Sequence, residues 1–308
     1  TSIFSESFLF SNTIQIPPNS GSTKNQLNSL FSYLSLLFSR IDHEISSSLI
    51  EQTLTSLSEF SSKSFHSWLN TSISQVSINS LCLIFTNEVS QLLTNSSSQD
   101  TSISSSPKKK KSTTPESCPK KKLELIINKY SQWLREDNKI IGPFKNNIIL
   151  TLINHINIIE TLIEKNVYDA NSFEWLKYIR HLWDQNKKEV IIECGGWTNY
   201  QLKKISSHSR ILLSPDTDKI FLFNSSSFRE KSASIIKINN NRYNNNLSYQ
   251  QIFEEFCSLF WTEMIVINAN STPLSSIKNI FDIASSNKSW IDMEGIDSLH
   301  RNLNGINY

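Results

Sequence analysis

Near residue 190 the hydrophobic period of this chain changes, and that change is the strongest constraint on its fold. Before it, apolar residues recur every three or four positions, the spacing of one helix face. The clearest case is Ile148–Lys165, where Ile149, Leu152, Ile153, Ile156, Ile159 and Ile163 form one stripe, with Asn154, Asn157 and Glu160 off it. Similar stripes run over Leu27–Ile50, Leu49–Leu69, Val76–Leu93 and Leu123–Trp133. Ser172 is placed to cap a further helix, Phe173–Trp183, in which Phe173, Leu176, Ile179 and Trp183 keep the same spacing. After residue 190, short strand-like runs alternate with helical ones. Val190–Glu193, Arg210–Ser214, Ile220–Phe223, Ser234–Ile238, Ile265–Asn268 and Ser289–Met293 read as strands, and Tyr249–Glu263 and Leu274–Ala284 as helices. Pro215–Asp218 reads as a turn between two of these strands. Alternation of this kind implies a parallel sheet with crossover helices. The expected fold is therefore a mainly α-helical bundle followed by a partial α/β domain.

The 308 residues are enough for about two domains. Residues 1–48 form an N-terminal segment of uncertain role, with short strands expected at Ile3–Phe10 and Thr13–Ile16. Residues 49–189 form the helical region and residues 190–308 the α/β region. Within the helical half, Thr94–Lys122 is rich in Ser and carries the lysine clusters Lys108–Lys111 and Lys120–Lys122. A nucleic-acid or import patch is one reading of those lysines. A solvated, disordered insertion is the expected one, because the segment has little apolar surface to bury.

The net charge of +2 points to no strongly acidic or basic partner, so no nucleic acid is expected. Nor is a membrane, since no run of eighteen apolar residues occurs. Cys82, Cys118, Cys194 and Cys257 are widely spaced with no CxxC pair, which suits reduced thiols better than zinc or a disulfide framework. The chain starts at Thr1 without Met and stops at Tyr308, and reads as an internal fragment. His155, beside the stripe, is expected to be a satisfied core or boundary histidine rather than a ligand.

Two strings give the chain a family resemblance. Phe173-Glu174-Trp175-Leu176-Lys177-Tyr178-Ile179-Arg180-His181-Leu182-Trp183 resembles the dynein heavy-chain string F-x-W-L-x-x-L-R-Y-Y-W. Ser209-Arg210-Ile211-Leu212-Leu213-Ser214-Pro215-Asp216-Thr217-Asp218-Lys219 is similar to S-R-L-V-I-T-P-L-T-D-R without a gap. Leu150–Val167 and Val76–Val89 resemble preceding linker segments, while Val266–Asn268, Ile277–Ala284 and Ser289–Ile291 track a later strand, helix and strand. The resemblance spans roughly residues 50–300. It implies the C-terminal part of the linker running into the start of the first AAA+ module. That module belongs to an ATP-driven microtubule motor whose cofactors are ATP or ADP with Mg. The implied partners are the rest of the motor ring, microtubules and other dynein subunits. The implied location is cytoplasmic and cytoskeleton-associated, with an axonemal parent left open.

The chemistry of that module is largely missing. A P-loop needs glycines whose N–H groups converge on phosphate, a Lys, and a Ser or Thr for Mg²⁺. The corresponding stretch is Asn239–Ser248, and no Gly occurs between Trp197 and Glu294. Arg242 is the one cation in that loop. A residual anion nest is conceivable there, although a plain surface loop is expected. The family's W-A-C-F-D-E becomes Trp290-Ile291-Asp292-Met293-Glu294-Gly295, so Glu294 takes the metal-side position and Gly295 replaces the catalytic Glu. No catalytic residue is therefore assigned, and whether the segment belongs to an enzyme stays open. By resemblance, Leu212, Leu213, Ser214 and Pro215 would pack on the adenine, with Arg242 near phosphate. A non-motor helical scaffold that retains the fold without the ATPase chemistry is the alternative.

Overall fold

The computed structural model describes residues 23–71, 74–97, 119–140, 142, 144–199, 210–230, 249–262, 264–269, 271–287 and 289–295. Most of these are helical. The helices are α1 (Thr23–Phe60), α2 (Phe65–Leu69), α3 (Ser74–Ser97), α4 (Pro119–Arg135), α5 (Lys145–Glu164), α6 (Phe173–Leu176), α7 (Pro215–Arg229), α8 (Tyr249–Leu259) and α9 (Leu274–Asn287). The strands are β1 (Arg180–Asp184), β2 (Glu189–Cys194), β3 (Trp197–Asn199), β4 (Met264–Asn268) and β5 (Trp290–Glu294). The chain divides into two units, residues 1–44 and 45–308. In the first, α1 exposes Tyr33, Leu36 and Ile41. The two expected stripes at 27–50 and 49–69 fall mainly on a single helix, α1, because no Gly or Pro interrupts residues 23–60.

The second unit holds two apolar cores. In the first, Trp68, Leu81, Phe85, Val89, Leu93, Leu123, Tyr130, Leu152, Ile159, Leu162 and Trp175 are buried together. Phe65 stacks on Trp133 with centroids 3.9 Å apart, and the Trp68 indole donates to the Ser56 carbonyl at 2.7 Å. Lys129 pairs with Glu88 and lies over the Trp133 ring, tying α4 to α3. Leu93 and Leu123 are fully buried here, which holds the end of α3 and the start of α4 in helix. The helices therefore claim Thr94–Ser97 and Pro119–Lys122, both ends of the stretch read as an insertion, and residues 98–118 lie outside the described residues.

The second core gathers Val190, Ile192 and Cys194 of β2, Phe221 of α7, Ile252, Phe253 and Phe256 of α8, and Trp290 of β5. From α3, Leu81, Phe85 and Val89 enter the first core while Val76 and Leu83 enter the second. A helix apolar on several sides is buried on several sides.

Three expected elements are different in the structure. The helix over Phe173–Trp183 ends at Leu176, and Arg180–Asp184 becomes β1, antiparallel to β2 with Arg180 opposite Glu193 and Trp183 opposite Val190. Strand structure thus begins ahead of residue 190. Arg210–Ser214 is extended but joins no sheet, and Ile220–Phe223 lies inside α7 rather than in a strand. Pro215–Asp218 is the first turn of α7. The Ser214 hydroxyl accepts from the Thr217 N–H, and the Thr217 hydroxyl accepts from the Ser214 N–H, a capping box with Pro at the first helical position. The same residues that make turns also start helices. The expected helices Tyr249–Glu263 and Leu274–Ala284 appear as α8 and α9, and the strands Ile265–Asn268 and Ser289–Met293 as β4 and β5. β4 and β5 are parallel neighbours joined through α9, as the alternation required. The early strands at 3–10 and 13–16, the strand at 234–238 and the Asn-rich loop lie outside the described residues.

Trp175 is fully buried and Trp183 packs against the second core, so both indoles serve cores, though from α6 and β1 rather than from one helix. The β2–β3 turn is closed by Gly195 and Gly196, at φ +55° and +86°. A Cβ on Gly195 would meet Leu222 Cδ1, the free end of a side chain that can turn aside, so the positive φ is the main penalty there. Gly195→Ala should lower stability by about 1–2 kcal/mol, read as a shift of the urea midpoint. A midpoint unchanged by that substitution would show that the turn tolerates a side chain at no cost.

Candidate functional site

The 210–214 segment belongs to no sheet, yet several of its backbone polar groups find partners. Two asparagines of α5 meet them. The Arg210 N–H donates to Asn147 Oδ1 at 3.0 Å, and the Leu213 N–H donates to Asn154 Oδ1 at 2.9 Å. Asn154 Nδ2 in turn donates to the Ile211 carbonyl at 3.0 Å. Asn147 and Asn154 lie seven residues apart, two turns of one helix face. Their amides do for this segment what a neighbouring strand would do. The buried positions of α5 (Ile148, Leu152, His155, Ile159 and Leu162) lie about one residue round from the stripe read in sequence, and this turns Asn154 inward.

On its other side the segment is fixed by charge. Arg210 Nε donates to Glu255 Oε1 of α8 at 2.7 Å, with side chains only 5% and 0% exposed. Such a pair stands only if both ions keep good partners. Around it lie His155 and His181, and with Cys82, Lys177, Tyr178 and Asp218 they line a cavity of about 30 Å³. His155 stacks flat on Phe85 at 3.9 Å, a core histidine as its position implied but not a satisfied one, since its Nδ1 has no partner among the described residues. His181 Nε2 donates to the Leu259 carbonyl at 2.9 Å, and its backbone N–H donates to Thr86 Oγ1.

Burial pushes both imidazoles down, His155 well below its ordinary value and His181 to about 4, with Arg210 adding to each shift. Desolvation raises the Cys82 thiol to about 11 and the Asp218 carboxyl to about 6, the latter opposed by Lys177 and Lys165. Both histidines are therefore neutral near pH 7, beside a buried ion pair. Cys82, Cys194 and Cys257 are buried free thiols.

The residues marked by resemblance fall in varied settings. Leu212 is exposed, Leu213 is half-buried through its bond to Asn154, and Ser214 and Pro215 start α7 at the surface. Arg242 lies outside the described residues. Glu294 is exposed at the end of β5, where its carbonyl accepts from the Ala269 N–H. Asp292 is half-buried and on the same side of β5. Desolvation raises its carboxyl, and the charges of Glu294 and Glu254 add to the shift. Asn147, Asn154, His181 and Glu255 were not singled out from sequence. In sequence Asn154 lies off the apolar stripe of α5 and His181 lies inside the first family-like string, neither with a role of its own, and Asn147 and Glu255 carry no signal.

No family model matches the chain. Dynein axonemal heavy chain 2 of Homo sapiens is 27% identical over 105 residues, 33% of this chain and 2% of that protein. Dynein heavy chain-like protein 1 of Plasmodium falciparum (isolate 3D7) is 35% identical over 80 residues, 24% of this chain and 2% of that protein. The flagellar outer-arm dynein gamma chain of Chlamydomonas reinhardtii is 33% identical over 64 residues, 20% of this chain and 1% of that protein. The chain carries a divergent dynein heavy-chain region. It spans about 2% of the length of the first two of these dyneins. No described helix of the chain is long and apolar enough to cross a membrane.

The histidines give the chain a pH signature. A histidine whose pKa falls on folding leaves stability intact above its unfolded value near 6.5, and stability is lost as pH falls toward the folded value. For His181 the loss between pH 6.5 and about 4 is on the order of 3 kcal/mol. Asp218 works in the opposite sense, contributing stability below 3.8 that is lost as pH rises through about 6. Urea unfolding of wild type and His181→Gln across pH 4–7 separates the two. The wild type should show the steeper acid loss, and identical slopes would remove His181 from the account.

Proposed function

We propose that this chain is the junction of a dynein heavy chain, the end of the linker joined to the start of the first AAA+ module, in which mechanical continuity outlasts nucleotide chemistry. The observation that carries this reading is the 210–214 segment, fastened to α5 through Asn147 and Asn154 and to α8 through Glu255. In the family-based order of elements, α5 is a linker helix and α8 follows the phosphate-loop position. The parallel β4–α9–β5 crossover supports the same assignment. Relatives named as axonemal and flagellar support a ciliary or other cytoskeletal setting for the parent chain.

The first nucleotide site is degenerate in this reading. Three requirements fail together: glycines between Trp197 and Glu294, the Lys of the loop, and the water-polarising Glu, replaced by Gly295. Phosphoryl transfer depends on positioning and electrostatics, so each loss removes a large part of the rate. The apolar contact of Leu212 and Leu213 does not replace a phosphate cradle. ATP hydrolysis, microtubule movement and the remaining motor ring then belong to the rest of the parent chain. The same losses favour a second reading, a non-motor scaffold of dynein fold.

Calorimetric titration of Mg-ATP into the chain and into Arg242→Ala tests the degenerate site. No binding heat is expected from either protein. Micromolar binding abolished by Arg242→Ala would overturn it and establish an unorthodox phosphate site.

A further inference from the structure

The geometry points to Arg210 as a coupling residue that makes α8 and α5 respond together, so that a change in α8 is felt at the asparagine clamp. This inference rests on the mechanical part of the reading above and not on nucleotide binding. A null calorimetric titration would leave it standing, and its own failure would leave the degenerate site untouched.

The path is short and made of specific bonds. Glu255 lies in α8, among the buried residues Ile252, Phe253 and Phe256 of the second core. Its carboxylate holds the Arg210 guanidinium at 2.7 Å. The Arg210 backbone is bonded to Asn147, and three residues on, Leu213 is bonded to Asn154. Both asparagines belong to α5, whose Leu152, Ile159 and Leu162 lie in the first core. Apolar contacts can slide by small steps. A buried ion pair resists separation, because parting it leaves each charge without its partner among buried side chains. An apolar pair of similar volume would often hold the fold as well, so the ion pair adds directional attachment beyond cohesion. Couplings of this kind require a discrete physical connection between the elements that respond.

The test perturbs α8 and reads α5. Phe253→Ala removes a large buried ring from α8. Hydrogen exchange is followed at the Leu213 amide, whose acceptor is Asn154, with the Tyr130 amide of α4 as the measure of global opening. In the wild-type background Phe253→Ala should speed Leu213 exchange by about tenfold beyond any change at Tyr130. In the Arg210→Met/Glu255→Met background the excess should fall below about threefold. Where that double variant shows no cooperative melt, Glu255→Gln is the background for the same comparison. Equal transmission without the ion pair overturns the proposal, as does a Leu213 amide indifferent to Phe253→Ala in the wild type.

Discussion

The architecture depends on how a short extended segment, 210–214, is satisfied without a neighbouring strand. A buried backbone group left unpaired costs about as much as a lost hydrogen bond or more. This segment runs past α5 with Arg210 and Ile211 buried. Asn147 and Asn154 supply the missing donors and acceptors. With them in place, the guanidinium of Arg210 can be carried inward to Glu255, and Ser214 arrives where it caps α7. Removing the clamp would leave a buried charge, three unpaired backbone groups and a misplaced helix start.

The two cores share elements rather than standing apart. α3 contributes to both, and β1 is held against it by the bond from His181 to Thr86. Between them lies the polar seam of Arg210, Glu255, His155, His181 and Asn154, all buried. Polar seams of this sort contribute less cohesion than apolar packing but fix one arrangement against others. That property suits the junction role proposed above.

Where one long apolar stripe or a strand–helix–strand alternation carries the reading, sequence and structure agree. α5, α8, the β4–α9–β5 crossover and β2 all appear close to their expected places. Where tertiary partners decide, it failed. Phe173, Leu176, Ile179 and Trp183 have helical spacing, yet the Val190–Ile192 run offers β1 a partner strand, and pairing wins over local spacing. Arg210–Ser214 has strand composition, but its ladder is built from side-chain amides that no strand pattern announces. The family strings were legible because they are contiguous. The seam is not legible, because its members come from α5, β1, α8 and the 210–214 segment, and even His181 and Arg210, which lie inside the family strings, carry no sign there that they meet.

The central claim is that the asparagine clamp joins two cores into one cooperative body. Urea unfolding of Asn154→Leu, followed by tryptophan fluorescence and by far-ultraviolet circular dichroism, tests it most directly. Leucine keeps the approximate volume and removes both amide bonds. In the wild type the two signals should give one coincident transition, and in the variant they should separate into two as the cores melt independently. Coincident transitions at an unchanged midpoint in Asn154→Leu would contradict the account, because the cores would then hold together without the clamp.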